Sequence, residues 1–420
     1  MDHLEKIHAE AFDIMQYYYR SAHEPFIHCQ IRCSHLDEDC LKTAVDLSKR
    51  SIPLIGCSFD IAEHCWRQQN FTAEEIVSVV TVNSDTICDT ERYLVSSIDI
   101  FSEPQLKIFL IREQKSDTIC FIMNHMICDG AGFKEYLYLL SNLYSECRKG
   151  LNTVCEFQAN VRSMKPLLAC FTFAEKIAIL FSKPDVSNKH MSLTYPLQGD
   201  KVSPFIVTCC VPKDQFQAIK AAAKKRSATL NDMILTAYIR TLSKETGARH
   251  ISIPCPVDLR KYISPDEKIG ICNLTSNLIC NVELRPDEKF DQTLKNISLQ
   301  MQRQKSSVLC LKDPILLNFA FHALPEKVLS KLFQKLFTIP VLSYTNLGII
   351  NQSLLQFDGS IILDCFITGA IKYTPYFQIS ASTYNDVCTL SCNMHGTPDD
   401  RKKIEHFLQQ VHNELCSCRV

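Results

Sequence analysis

Segments with the hydrophobic pattern of buried β-strands alternate with amphipathic, helix-like segments along both halves of the chain. In the first half, residues 104–113 and 118–126 predict two strands joined by a short polar stretch, and residues 132–150 predict the helix that follows. In the second half, residues 203–211 and 340–350 predict strands, and residues 399–416 predict a closing helix. This alternation predicts an α/β fold, with helices covering a sheet in each half.

The length of the chain indicates more than one compact unit. At 420 residues it exceeds what one hydrophobic core usually supports. We therefore predict two α/β sandwich subdomains side by side, an N-terminal one over residues 1–160 and a C-terminal one over residues 196–420. Residues 161–195 are predicted to form the crossover between them.

The composition excludes several classes of protein. Hydrophobic residues make up 46%, charged residues 22%, and the net charge is -1, so no basic surface favours nucleic acid. The polar N-terminus does not have the pattern of a signal peptide, and no apolar run reaches membrane-spanning length, so we expect a cytoplasmic protein. The two most apolar stretches, 166–181 and 314–337, contain charged residues and are predicted to be buried helices; a lipid-facing or acyl-binding surface is the alternative.

The cysteines do not have the spacing of a metal site. There are 22, no CxxC pair occurs, and Cys29/Cys33 and Cys388/Cys392 are spaced by four residues on predicted strands. Residues four apart on a strand are too distant to bind one metal without further ligands. We predict no metal site and interpret the cysteines as small buried residues in a reducing compartment.

The stretch NHMICDGAGF, residues 124–133, concentrates the chemistry. An apolar strand ends at His125, Asp129 follows four residues later, and two of only eleven glycines come next. The glycines argue against a helix here and predict a tight turn with close backbone approach. A neutral imidazole at such a turn suits a general base, whereas a core histidine beside a capping aspartate is the structural alternative.

The chain resembles the acyltransferase superfamily that includes chloramphenicol acetyltransferase, nonribosomal-peptide condensation domains, plant BAHD acyltransferases and microbial alcohol acyltransferases. NHMICDGAGF is similar to the His-x-x-x-Asp-Gly signature of that superfamily, IPCPVDLRKY to its arginine-bearing segment, and SYTNLGII to its Ser/Thr-Asn-x-Gly strand. Residues 27–59 are similar to its opening strand–helix–strand unit. The resemblance implies two subdomains arranged as a pseudo-dimer around a central channel.

The resemblance also implies roles for individual residues. His125 corresponds to the general base, while Asp129 corresponds to the aspartate that pairs with an arginine, here Arg260, and holds the loop. Gly130 corresponds to the glycine that lets the backbone turn and leaves room for substrate. The candidates for binding the oxyanion or the substrate are Asn124 from NHMICDGAGF and Tyr344, Thr345 and Asn346 from SYTNLGII. Thr345 or Asn346 is favoured as the oxyanion donor, and simple packing of the strand is the alternative.

The expected activity is acyl transfer from a thioester, acyl-CoA, to an alcohol or amine, by a monomer without a permanently bound cofactor. Condensation domains usually carry a histidine where this chain has Asn124, which favours a stand-alone acyltransferase. A stand-alone condensation domain that takes its acyl group from a separate acyl carrier protein is the second hypothesis. A non-catalytic binding protein on the same fold is the third.

Overall fold

The computed structural model describes residues 6–82, 90–151, 162–182, 193–200, 202–267, 269–325, 328–329, 331 and 339–418. The strands are β1 (Lys6–His8), β2 (Phe26–Cys33), β3 (Cys57–Asp60), β4 (Cys65–Gln68), β5 (Val77–Thr81), β6 (Leu106–Arg112), β7 (Asp117–Asn124), β8 (Pro204–Val211), β9 (His250–Asp258), β10 (Thr275–Glu283), β11 (Leu342–Ile349), β12 (Ile362–Thr368), β13 (Phe377–Tyr384) and β14 (Val387–His395). The α-helices are α1 (Ala11–Tyr18), α2 (Glu38–Ser51), α3 (Ala73–Ile76), α4 (Glu91–Leu94), α5 (Gly130–Arg148), α6 (Lys165–Ala169), α7 (Phe173–Phe181), α8 (Lys213–Lys225), α9 (Leu230–Thr246), α10 (Phe290–Lys305), α11 (Lys312–Ala323) and α12 (Pro398–Ser417).

The first half is built on a five-stranded sheet of order β12-β2-β7-β6-β5. β7 is central, and all eight of its residues are buried, which explains its continuous apolar sequence. The predicted pair of strands in residues 104–126 is confirmed, because β6 and β7 run antiparallel from Leu106 opposite Met123 to Arg112 opposite Asp117. α2 and α5 pack against each other and contribute to the core of this half.

The second half is built on a four-stranded sheet of order β11-β13-β14-β8. α8, α9 and α12 pack together on it and share one hydrophobic core with its strands. β9 and β10 form a separate antiparallel pair, with β9 alongside β11 and α10 against β10. Each half is therefore a sheet covered by helices, as the alternating sequence pattern predicts.

One strand crosses from the second half into the first. β12 pairs antiparallel with β2, with Cys365 opposite Ile31 and Thr368 opposite His28. An ion pair of 2.6 Å between Arg32 and Asp364 lies on the same pair of strands. The segment 196–420 is therefore not confined to one half, because β12 extends the sheet of the other. The remaining domain boundaries stay a prediction.

The apolar stretch over 166–181 is less buried than its composition predicts. It forms α6 and α7, and the side chains of Phe173 and Phe181 on α7 are 80% and 82% exposed. Ile177 lies on the same face, four residues from each, and is 39% exposed. Only Ile179 is buried on this helix, so the prediction of a buried helix is wrong for most of α7.

Candidate functional site

His125 is the first residue after the central strand β7, and its backbone is fixed from two sides. Its N–H donates to the carbonyl of Pro25 at 2.7 Å, and its carbonyl accepts from the Asn273 amide at 2.8 Å. Pro25 precedes β2 in the first half, whereas Asn273 precedes β10 in the second. The imidazole is thus held where the two halves meet.

The motif continues into a helix earlier than the glycines predict. α5 begins at Gly130, and Asp129 caps it by accepting a hydrogen bond of 2.8 Å from the N–H of Gly132. The predicted tight turn is present directly after β7, where the N–H of Ile127 donates to the Asn124 carbonyl at 3.1 Å, but the glycines do not form it, and neither has a positive φ.

The two glycines instead allow the second half to approach the start of α5. A Cβ on Gly130 would lie 2.3 Å from Cδ2 of Leu347 in β11. A Cβ on Gly132 would lie 3.1 Å from the carbonyl oxygen of Cys272 and 3.0 Å from Cβ of Cys128. Small residues are needed here for packing between the halves, not for backbone conformation.

A cavity of about 430 Å³ lies at this junction. His125, Gly130 and Lys134 line it from the motif and α5, and Thr275 and Thr345 line it from the second half. The site residue predicted from the motif therefore shares a cavity with residues of the SYTNLG strand, more than 200 positions away in the sequence.

The imidazole of His125 is adapted to the neutral form. Burial lowers its pKa below the usual value of 6.5, against the opposing effects of its own carbonyl and of the charge on Asp129. Nδ1 is buried and makes no hydrogen bond of good geometry. The residue as a whole is half-buried and lines the cavity.

Asp129 is directed away from His125 and toward Arg260. Its Oδ2 accepts hydrogen bonds from Arg260 at 2.9 Å, from the N–H of Leu274 at 2.8 Å and from the hydroxyl of Thr275 at 2.9 Å. Burial alone would raise the pKa of this carboxyl, but the Arg260 charge and these N–H donors lower it below its ordinary value. The same ion pair raises the pKa of Arg260 although burial acts against it. Asp129 therefore organises the loop and is not hydrogen-bonded to the imidazole.

Residues 272–275, the sequence CNLT, hold this loop from the second half. The Cys272 carbonyl accepts from the N–H of Asp129 at 3.2 Å and from Arg260 at 2.8 Å. Together with the contacts of Asn273, Leu274 and Thr275 described above, four consecutive residues bind the loop between His125 and Asp129. No spacing or composition marks this segment in the sequence, so the motifs alone do not predict its role.

The candidates on β11 do not share one environment. Tyr344 is 1% exposed and packs near the ring of Tyr238, so its ring belongs to the core of the second half. Asn346 donates to Asn231 at 3.1 Å and accepts from the N–H of Gly348 at 2.9 Å. All three residues line the cavity; Thr345 is half-buried, whereas the Tyr344 hydroxyl is buried and has no hydrogen-bond partner among the described residues.

Asn124 is not part of the cavity lining. It is completely buried, its amide donates to the Gln105 side chain at 2.6 Å, and its carbonyl oxygen accepts from the N–H of Met126 at 2.9 Å. Both ends of the side chain are thus occupied in stabilising the end of β7. The expectation that Asn124 contacts substrate or oxyanion is not supported, because the residue faces the interior of the first half.

Two further cavity-lining residues, His23 and Lys372, carry no motif and were missed. The ammonium of Lys372 lies 3.2 Å from Nδ1 of His23, and both side chains are buried. Burial lowers the pKa of Lys372 to about 8 and that of His23 well below its usual value, with the charge of Lys372 adding to the effect on His23. A lone lysine in a loop gives no signal in the sequence.

Metal-binding side chains come together in one place among the described residues, at Asp60, Glu63 and Cys65. Asp60 and Glu63 already form ion pairs with Arg67, at 2.6 and 3.2 Å. The Arg67 guanidinium occupies both carboxylates, so the cluster is explained as a surface ion-pair network. Cys29, Cys33, Cys388 and Cys392 are buried free thiols, in agreement with their interpretation as small core residues.

In the described part of the chain, no helix has both the length and the apolar character needed to cross a membrane.

Comparisons of sequence identify no relative: no protein-family description and no curated protein matches the chain. Comparison of structures gives several matches over the whole chain. The first condensation domain of the CDA synthetase has a TM-score of 0.70 at 13% identity, covering 100% of this chain and 98% of that one. Polyketide synthase associated protein 5 from Mycobacterium tuberculosis has 0.68 at 16%, covering 99% and 97%.

A third similar structure is the trichothecene 15-O-acetyltransferase from Fusarium sporotrichioides, with a TM-score of 0.67 at 12% identity, covering 99% of this chain and 96% of that one. At these identities the likeness is one of fold. The predicted fold, two chloramphenicol acetyltransferase-like α/β halves, is confirmed, and so is the resemblance to this superfamily at the level of fold.

Proposed function

We propose that this protein is an acyltransferase that moves an acyl group from a thioester, acyl-CoA, to an alcohol or amine, with His125 as the general base. The observation that supports it most directly is the position of His125, a neutral imidazole in the cavity between the halves, with its backbone fixed by Pro25 and Asn273. A core histidine needs no place in a cavity lined by both halves.

In the proposed reaction Nε2 of His125 takes the proton from the acceptor O–H or N–H as that atom attacks the thioester carbonyl carbon. A new C–O or C–N bond forms, the carbonyl electrons move onto the oxygen, and the imidazole becomes an imidazolium. When the tetrahedral intermediate collapses, the C–S bond breaks and the imidazolium returns its proton to the departing thiolate. No oxidant, reductant or metal enters this balance.

The oxyanion of the intermediate requires a hydrogen-bond donor fixed in advance. Thr345 is the proposed donor, because it lines the cavity from β11 and is half-buried, whereas the Tyr344 side chain is buried in the core of the second half and the Asn346 amide already donates to Asn231. Asp129 and Arg260 act indirectly, by fixing the loop that carries His125.

The second hypothesis is a condensation-type reaction in which a separate acyl carrier protein delivers the acyl group. The structural likeness to the first condensation domain of the CDA synthetase favours it as an alternative. Both hypotheses require His125 and differ in the donor. Parallel assays with acyl-CoA and with the same acyl group on a carrier protein distinguish them.

The test is the release of free thiol from a panel of acyl-CoA donors in the presence of mixed alcohols and amines. His125→Ala should lower the rate by about 10²–10⁴-fold, the usual contribution of a general base, with little change in melting temperature. His406→Ala, at an exposed histidine of α12, is the matched control and should behave as the wild type. A His125→Ala protein that turns over normally once folded contradicts the proposal, as does a wild type that consumes no thioester from either donor.

A further inference from the structure

The proposed mechanism leaves several charged groups in the cavity without a role, and Lys372 is the most buried of the cations among them. Lys372 is only 8% exposed, and it lines the same cavity as His125. It belongs to the segment between β12 and β13, where its backbone N–H donates to the Asn393 carbonyl at 3.0 Å and its carbonyl accepts from the N–H of His395 at 2.9 Å. The backbone is therefore fixed in the second sheet, and the side chain is directed toward the first half.

A short N-terminal segment, residues 22–25, connects this lysine with His125. On one side, the carbonyl of Ala22 accepts from the N–H of Tyr373 at 2.9 Å, and the N–H of Glu24 donates to the Ile371 carbonyl at 2.9 Å. On the other side, Pro25 binds the backbone of His125. Residues 22–25 are thus hydrogen-bonded to the backbone beside Lys372 on one side and to the backbone of His125 on the other.

Within the described part of the chain, the ammonium group has one hydrogen-bond partner, the neutral ring of His23 at 3.2 Å. Among the described residues, no carboxylate lies within ion-pair distance of it. An ammonium group has three N–H donors, so two remain for a ligand. Removing such a group from water without an anion is unfavourable, and burial accordingly lowers its pKa to about 8.

We infer that Lys372, oriented by His23, binds a carboxylate group carried by the substrate, so that the acyl-transfer site is selective for an acidic substrate. This inference rests on the proposed function, whose site it deepens. A carboxylate would complete the hydrogen bonding of the ammonium and neutralise the more buried of the two lysines that line the cavity with His125. His23 is a positioning residue, because it acts through Lys372.

The carboxylate has two possible sources, the acceptor and the acyl group. In the acceptor arm, an amino acid is compared with its carboxamide, and a hydroxy acid with its methyl ester. In the donor arm, succinyl-CoA is compared with butyryl-CoA, which has the same chain length without the charge. We expect the wild type to favour the acidic member by about 10- to 100-fold in kcat/KM in one of the arms, the range of a charge-assisted hydrogen bond.

Lys372→Met should remove this preference by slowing the acidic member alone, and Lys372→Arg should keep most of it. Lys134→Met tests the other cation that lines the cavity, from α5; because the charges of Glu135, Asp258 and Asp129 already act on Lys134, it should leave the ratio of the two members unchanged, and a loss of the preference in Lys134→Met overturns the inference. Equal use of both members by the wild type overturns the inference, as does an equal loss for both members in Lys372→Met.

A binding measurement separates this inference from the proposed function. Succinate should raise the melting temperature of the wild type and of His125→Ala, but not that of Lys372→Met, and neutral succinamide should raise none of them. Stabilisation by succinate without any acyl transfer supports the lysine site and contradicts the proposed function. Acyl transfer with neither a preference for acidic substrates nor stabilisation by succinate contradicts the lysine site and supports the proposed function. If Lys372→Met does not fold, the wild-type comparisons and Lys372→Arg still decide the question.

Discussion

Arg260 donates a hydrogen bond of 2.9 Å to Asp129 and thereby joins the turn after β9 in the second half to the start of α5 in the first. The two residues are 131 positions apart. Arg260 also contacts Asp258 at 3.1 Å, but that carboxylate is largely exposed, whereas the side chain of Asp129 is 4% exposed. One guanidinium therefore forms a buried and an exposed ion pair side by side.

This arrangement makes the ion pair a measurable element of stability. Asp129→Asn keeps the helix cap but leaves Arg260 without its buried counter-charge, and we expect a loss of about 3–5 kcal/mol in the free energy of unfolding. Asp258→Asn removes the exposed partner of the same arginine and should cost about 1 kcal/mol or less. Denaturant titration of both variants measures the difference, and equal losses would show that burial does not decide the strength of the pair.

The hydroxyl of Thr345 is expected to stabilise the oxyanion. Thr345→Val keeps the shape of the side chain and should lower kcat by about 10²–10³-fold with little change in KM, because the hydrogen bond forms only in the transition state. Thr345→Ser restores a hydroxyl and should recover most of the rate. Ser343 lines the same cavity. A larger loss in Ser343→Ala than in Thr345→Val would move the role to that residue.

The two glycines after Asp129 should differ in their tolerance of a side chain. Gly132→Ala places a Cβ against the Cys272 carbonyl, which is backbone that also binds Arg260, so we expect a loss of about 1–3 kcal/mol. Gly130→Ala meets only the end of the Leu347 side chain, which can rotate, and its smaller cost should disappear in a double variant with Leu347→Ala. Thermal unfolding of the single and double variants tests this coupling.

Buried neutral histidines should make the protein sensitive to acid. Burial lowers the pKa of His28 to about 4, although its bond of 2.7 Å to the Leu94 carbonyl opposes this. Between the unfolded pKa of 6.5 and about 4, the unfolded chain binds a proton that the folded chain does not, so stability is present above 6.5 and falls as the pH is lowered. The expected loss from this residue is roughly 3 kcal/mol.

His28→Phe removes the titrating group from the core of the first half. The variant should be less stable than the wild type near neutral pH, because the Leu94 carbonyl loses its donor, but its free energy of unfolding should depend less on pH. Urea titrations between pH 7 and 5 measure the two slopes. His406→Gln, at an exposed position, should have the slope of the wild type, and an unchanged slope in His28→Phe would contradict the assignment.

The local patterns in the sequence determined the elements of the fold and the position of the motif. Strand and helix periodicity depends on residues a few positions apart, so β6, β7 and the closing helix α12 were predictable. The motif itself indicated His125 and Asp129, and resemblance to a known superfamily supplied Arg260 and the β11 strand. The glycines showed the limit of this approach, because the same residue type serves a turn or a close contact, and only packing distinguishes the two.

Tertiary structure alone decided how distant segments complete the site. Three contacts join segments more than 100 positions apart: the pairing of β12 with β2, the hydrogen bonds of residues 272–275 to the loop after His125, and the contact of Lys372 with His23. Such contacts are set by which surfaces pack against each other when the two halves associate, and no short-range period encodes them. The environment of Asn124 was decided in the same way, because burial against Gln105 directs its side chain away from the cavity.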